Sequence, residues 1–187
     1  MATRAALAFI DCETTGLNEE IDQIWEVGLI LRGPGHGIND EQHLTIHVEG
    51  ITKEMFHPDA RAIGRFDERY GLDAQVLTRH QTAYALSGWL ADRHLVGANP
   101  AFDQAFLKRL LRTSGIGPTW KHRLIDVENL VMQDLNAPTP MGLRQSAEAE
   151  GVYFDPEYEH TAYGDALTAM KLYDLCVHGV VPAGRPQ

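Results

Sequence analysis

Three apolar runs, at residues 7–10, 23–32 and 44–48, fall within the first 48 residues, and no helical pattern separates them. Parallel strands need a crossover of a dozen or more residues, usually a helix, whereas antiparallel neighbours can be joined by short loops. The chain therefore opens as an antiparallel meander. Leu44, Ile46 and Val48 alternate as one face of a strand does, and Gly33-Pro34-Gly35-His36-Gly37 supplies a turn-rich connector before them.

After Gly50 the pattern changes. Residues 81–92 have helical periodicity and 95–98 form a brief strand. In 102–111, Phe102, Phe106, Leu107, Leu110 and Leu111 share one helical face. A short strand at 124–126 and helices near 127–135, 142–150 and 161–177 follow. Strands first, then helices alternating with short strands, predict an α/β fold: a mixed central sheet, meander then β/α units, flanked by helices. With 187 residues and 44% hydrophobic content the chain can bury one core, so a single domain is expected over 1–178 with a loose tail at 179–187. Residues 57–79 are polar and broken, and an irregular or partly helical excursion is expected there.

Composition excludes several classes. No run approaches the roughly 18 apolar residues of a membrane span, and the start lacks the features of a secretory signal, so no membrane partner and a cytoplasmic location are expected. Cys12 and Cys176 are too far apart in context to suggest a disulfide framework or a zinc site, and are expected to be packing residues. A net charge of −10 argues against a long nonspecific grip on duplex DNA. Residues 104–125 are a local exception, with Lys108, Arg109, Arg112, Lys121, His122 and Arg123 and no acid, suited to guiding a nucleic-acid backbone toward Asp103. His43 and His47 have zinc-protease spacing, but Leu44 stands where that motif needs glutamate. The glycine-rich connector neither ends in Lys-Ser/Thr nor opens a helix, so it is no nucleotide loop.

The chemistry-bearing pattern is acidic. In Asp11-Cys12-Glu13 the two carboxylates project from one face of a strand while Cys12 faces the other way, an arrangement that offers hard oxygen ligands to a divalent cation. Asp103 sits where a short strand turns into a helix, in the crevice where open α/β sheets place ligands. In His160-Thr161-Ala162-Tyr163-Gly164-Asp165, Thr161 is a plausible N-cap, leaving His160 outside the helix and Asp165 on its first turn. A histidine beside a metal site can take a proton from water near neutral pH. Each feature alone has an ordinary reading as a solvated edge or a helix-dipole partner; the combination is what signals a site.

Three of these motifs, in order, resemble the DnaQ-like exonucleases of the DEDDh type, a group with a ribonuclease H-like fold that includes proofreading subunits and oligoribonucleases. Phe9-Ile10-Asp11-Cys12-Glu13-Thr14-Thr15-Gly16-Leu17 looks like the first, Asn99-Pro100-Ala101-Phe102-Asp103 the second, and His160 to Asp165, with His-x-Ala-x-x-Asp spacing, the third. Weaker similarity joins them at Ile24-Trp25-Glu26-Val27-Gly28, Gly50-Ile51-Thr52, Leu124-Ile125-Asp126 and Gly142-Leu143. Ala98 and the expanded 57–79 region depart from the pattern.

The resemblance implies a 3′-to-5′ exonuclease acting at a free 3′ end of single-stranded or frayed DNA or RNA and releasing nucleoside 5′-monophosphates, as in DNA proofreading or processing. It implies two divalent cations, Mg2+ or Mn2+, one activating water and the other stabilising the departing sugar oxygen. Asp11 is expected to bridge them, Glu13 and Asp165 to hold the water-activating ion, Asp103 to reach the second largely through water, and His160 to act as general base. Thr14, Thr15 and Leu17 are expected around the 3′ terminus, with Ile51, Asn99 and Phe102 beside them and stacking on Phe102 favouring an unpaired base. An oligoribonuclease-like enzyme on short RNA, an internal-cutting nuclease, and a polymerase-associated or nucleic-acid-binding module with little activity are the alternatives. A DNA polymerase partner is compatible with catalysis.

Overall fold

The computed structural model describes residues 5–33 and 41–180; most of the glycine-rich connector and the tail from residue 181 lie outside the described residues. The expected meander is present as β1 (Leu7–Thr14), β2 (Ile24–Arg32) and β3 (Glu41–Val48), paired antiparallel in sequence order. Three shorter strands complete the sheet: β4 (Gln75–Leu77), β5 (His94–Gly97) and β6 (Lys121–Asp126). The six strands run in the order β4-β3-β2-β1-β5-β6, with β4 parallel to β3, β5 to β1 and β6 to β5.

Seven α-helices are described: α1 (Pro58–Ile63), α2 (Phe66–Arg69), α3 (Arg79–Trp89), α4 (Pro100–Thr113), α5 (Val127–Asp134), α6 (Leu143–Glu150) and α7 (Ala162–His178). Capping explains where two of them begin. Thr78 accepts from the Gln81 amide while the Gln81 side chain returns to the Thr78 amide, so α3 starts two residues before its apolar periodicity becomes visible. Thr161 accepts from the Gly164 amide at 2.9 Å and opens α7 as its sequence position predicts. The 57–79 excursion is partly helical, as expected, but β4 within it was not foreseen; three edge residues with largely exposed side chains leave no alternation to read.

The sheet divides the core into two layers. Even-numbered Ala8, Ile10 and Cys12 of β1 pack with Trp25, Leu29, Ile46, Leu86, Leu107 and Leu111 on the face covered by α3 and α4. Odd-numbered Leu7 and Phe9 pack with Ile30, Val96, Val131 and Leu172 on the face covered by α5, α6 and α7. Fully burying each large aliphatic or aromatic side chain contributes roughly 1.5–3 kcal/mol, so both layers fix the register of β1. That register also fixes Asp11 and Glu13: they share the parity of Phe9 and emerge where the second layer ends.

Candidate active site

Asp11 and Glu13 come from the end of β1 and Asp165 from the first turn of α7, and one carboxylate oxygen of each lies within 4.8 Å of the others. The helix can come so close because β2 carries Gly28, opposite Asp11: a Cβ there would lie 2.2 Å from the Ala162 carbonyl group. Asp103, on the first turn of α4, is 2% exposed. It approaches from the other layer, where its carboxylate accepts from the Cys12 thiol and the Cys12 amide while repelling Asp11. Cys12 thus faces away from the acid pair, as expected, and its thiol is pushed well up by burial and by Asp103.

Burial raises every member of this group. Asp11 is held well above the usual carboxylate range by burial and then by Asp103, Asp165 and Glu13. Glu13 is pushed up to about 8 by burial, then by Glu26 and Asp165, with Arg69 opposing. Asp103 and Asp165 both rise to about 7, chiefly through burial. Four crowded carboxylates with only hard oxygen donors match what a small divalent cation takes, and a bound cation would reverse the repulsion that raises them. The donor set therefore fits the cation expected from the sequence.

Beside the acids lies a network that the sequence did not reveal. Glu26 stands opposite both Glu13 and His47 across the sheet and is 2% exposed. Both its oxygens accept from Arg69 Nη2, Oε2 also accepts from the Ala162 amide at 3.1 Å, and Oε1 lies 3.3 Å from His47 Nε2. These partners pull Glu26 below its ordinary value although burial alone pushes it up. A lone acid inside β2, where every residue is buried, was the available signal. An open cleft of about 650 Å³ over β3 borders this network at Glu26, His47 and Arg69, and none of the four clustered acids lines it.

His160 immediately precedes the Thr161 cap, with a left-handed φ of 54° and an exposed imidazole whose Nε2 is 3.9 Å from Glu159 Oε1. Thr14 and Thr15 are buried beside the acids. Thr14 Oγ1 donates to the Gly16 carbonyl at 2.6 Å, and Thr15 Oγ1 accepts from the Gln23 amide at 3.0 Å. Leu17 is 83% exposed on the same loop. Ile51 is buried in the α3/α4 layer, whereas Phe102 is only partly buried, 4.8 Å from Phe106. Asn99 is exposed and left-handed at the start of α4.

A mixed sheet with helices on both faces and an acid-lined cluster at the end of its first strand defines an α/β protein of the ribonuclease H-like class. More narrowly, the chain belongs to the RNase_T exonuclease family, whose model matches residues 8–173, and so to the DnaQ-like group that its motifs resemble. It is similar in fold to E. coli exonuclease I in complex with a dT13 oligonucleotide, with a TM-score of 0.70 and 15% identity over 92% of this chain and 41% of that one. The dA16 complex of the same enzyme gives 0.70 and 15% over 94% and 42%. The chain spans about two fifths of the length of those exonuclease I chains, 41% and 42%. A comparison with curated proteins finds no match.

Proposed function

We propose that this chain is a metal-dependent 3′-to-5′ exonuclease of the DEDDh type, acting on single-stranded or frayed nucleic acid within one domain spanning 1–178. The observation that carries the reading is the convergence of Asp11, Glu13 and Asp165 within 4.8 Å, with buried Asp103 repelling Asp11 from the opposite layer. Asp11, Glu13 and Asp165 would hold divalent cations directly, with Asp103 behind them; such ions supply charge for the phosphoryl oxygens and lower the pKa of water.

His160 accepts the proton of the attacking water. The water oxygen bonds to the phosphorus of the terminal phosphodiester as its P–O3′ bond breaks, and O3′ takes a proton from solvent, leaving a new 3′ hydroxyl on the strand and a nucleoside 5′-monophosphate in solution. Exposure of His160 and Leu17 leaves room for a strand end, and Phe102, only partly buried against Phe106, is a candidate surface for an unpaired base. Thr14 and Thr15 serve the strand end by holding the shape of the loop beneath it, since the Thr14 hydroxyl is engaged with Gly16 and the Thr15 amide, carbonyl and hydroxyl with Gln23 and His57.

DNA is the first substrate to test, because the exonuclease I complexes of similar fold contain dT13 and dA16. The decisive assay follows matched 5′-labelled DNA and RNA oligomers, from dinucleotides upward, with Mg2+ or Mn2+ and with a chelator. Stepwise shortening from the 3′ end that the chelator abolishes is expected. Preference for the shortest RNA would assign the oligoribonuclease role, and sustained cleavage of a circular single strand would overturn the requirement for an end.

A further inference from the structure

We propose that Arg69 is a positioning residue that sets the direction of the His160 imidazole through the backbone; this rests on His160 serving as the general base. Arg69 is the last residue of α2, in the middle of the polar segment 57–79. Its Nη1 donates to the His160 carbonyl at 3.0 Å and the Gly64 carbonyl at 2.8 Å, while Nη2 grips Glu26 and the guanidinium lies 5.2 Å from the Trp25 ring centroid.

The two partners of this ion pair hold opposite sides of one residue. Arg69 takes the carbonyl of His160, Glu26 takes the amide of Ala162 at 3.1 Å, and Thr161 between them caps α7. Glu26 is steadied by His47, whose Nδ1 accepts from the Gly71 amide at 2.8 Å, so His47 Nε2 is free to carry the proton toward Glu26. Arg65, next to the same helix, donates to the Glu157 carbonyl at 2.8 Å and extends the grip back along the incoming loop.

His160 needs such a grip. Its φ of 54° lies in the left-handed region, which a non-glycine residue keeps only where its surroundings enforce it. Among the described residues the exposed imidazole meets only Glu159, 3.9 Å away, so its direction rests chiefly on its backbone. A planar fork reaching a carboxylate and two carbonyls together is a task for arginine, since a lysine ammonium cannot reproduce the fork. The segment at 57–79 is thereby a clamp on the catalytic loop.

The test compares Arg69→Met, Arg69→Lys, His160→Ala and Arg69→Met/His160→Ala on a 5′-labelled single-stranded oligomer, at the Mg2+ concentration that saturates the unsubstituted protein and at higher Mg2+, with thermal midpoints alongside. Arg69→Met is expected to lower kcat about 10-fold or more with KM within about twofold, as for a displaced catalytic group. Arg69→Lys should recover the midpoint more fully than kcat. In the His160→Ala background the Arg69 substitution should cost less than about twofold, because the group it aims is gone.

A full additional loss in that background overturns the proposal, as does a kcat that higher Mg2+ restores, which would assign Arg69 to supporting the acids. Should Arg69→Met fail to fold with Glu26 unpaired, Glu26→Gln/Arg69→Met removes both charges and is read in the same way. Full activity of His160→Ala by itself would remove the general-base reading beneath the proposal, a result distinct from additivity.

Discussion

At the scale of single residues, the proposed chemistry depends on four acids whose ionised state the fold itself resists. Glu13 at about 8 and Asp103 and Asp165 at about 7 stand above ordinary values of 4.5, 3.8 and 3.8. A carboxyl raised in the folded state contributes stability that is fully present below its unfolded pKa and is lost as pH climbs through the folded value. The chelated protein is therefore expected to lose stability between about pH 4 and 8, at about 1.4 kcal/mol per unit and group at most. Its thermal midpoint in chelator should fall by about 5 °C or more from pH 5 to pH 8, and Mg2+ should narrow the gap. An equal or higher midpoint at pH 8 without metal would contradict the buried-acid account. Removing a charge separates stability from catalysis. Glu13→Gln should raise the chelated midpoint at pH 8 yet abolish most turnover. Asp11→Ala and His160→Ala should each lower turnover by about two orders of magnitude or more, read in the stepwise assay, and near-normal rates in either would cancel that residue's role.

At the scale of elements, α7 does most to assemble the candidate site, because it brings Asp165 to β1 and begins directly after His160 and its Thr161 cap. Two contacts fix it on the sheet. At one end Gly28 admits the helix backbone; at the other buried Arg32 of β2 donates to Asp174 of α7 at 2.6 and 2.8 Å and to Glu41 of β3 at 2.9 Å. Gly28→Ala forces a methyl against the Ala162 carbonyl group, so the helix must lift. Activity should drop at least about 100-fold with a modest fall in stability, because an ångström of displacement matters more to chemistry than to packing. Arg32→Met strips buried Asp174 of its guanidinium and leaves Glu41 only His43 Nε2, 3.4 Å away, and should cost about 3–5 kcal/mol in denaturant unfolding. Little change in either measurement would show that α7 is held by apolar packing alone. Much of this was legible in the sequence. Asp11 and Glu13 announce themselves by strand parity, and Thr161 by its place before a helical run, since both signals are local. The Asp103–Cys12 contact and the Glu26–Arg69 pair join distant segments, and nothing along 57–79 distinguishes Arg69 from Arg61 or Arg65 until the fold places its partners. The spacing of His43 and His47 likewise gave no sign that His47 would steady Glu26.

At the scale of the whole molecule, a net charge of −10 must be reconciled with the anionic substrate proposed above. The resolution is local. Arg79 and Arg109 line one shallow depression and bond the connector before β2, Arg79 to the Gln23 side chain and Arg109 to the Asp22 carbonyl. Among the described residues neither meets a carboxylate at ion-pair distance, and Arg79 is lowered by burial and by Arg109, as expected for two cations left facing each other. The Gln23 carbonyl also accepts from the Thr15 amide at 2.8 Å and the Gln23 amide donates to the Thr15 hydroxyl at 3.0 Å, which ties this pair to the loop beside the acids. A phosphate of the incoming strand would satisfy both guanidiniums, and Lys108 and Arg112 on the same helix add to the local field. Arg79→Gln and Arg109→Gln should each raise KM several-fold with kcat nearly unchanged. Each should also flatten the fall of kcat/KM with salt, by about 0.7 in the log–log slope per lost phosphate contact on a single strand. Steady-state kinetics from low to moderate salt checks this directly, and an unchanged slope in both variants would move the strand's path away from this depression, with the acid site still in place.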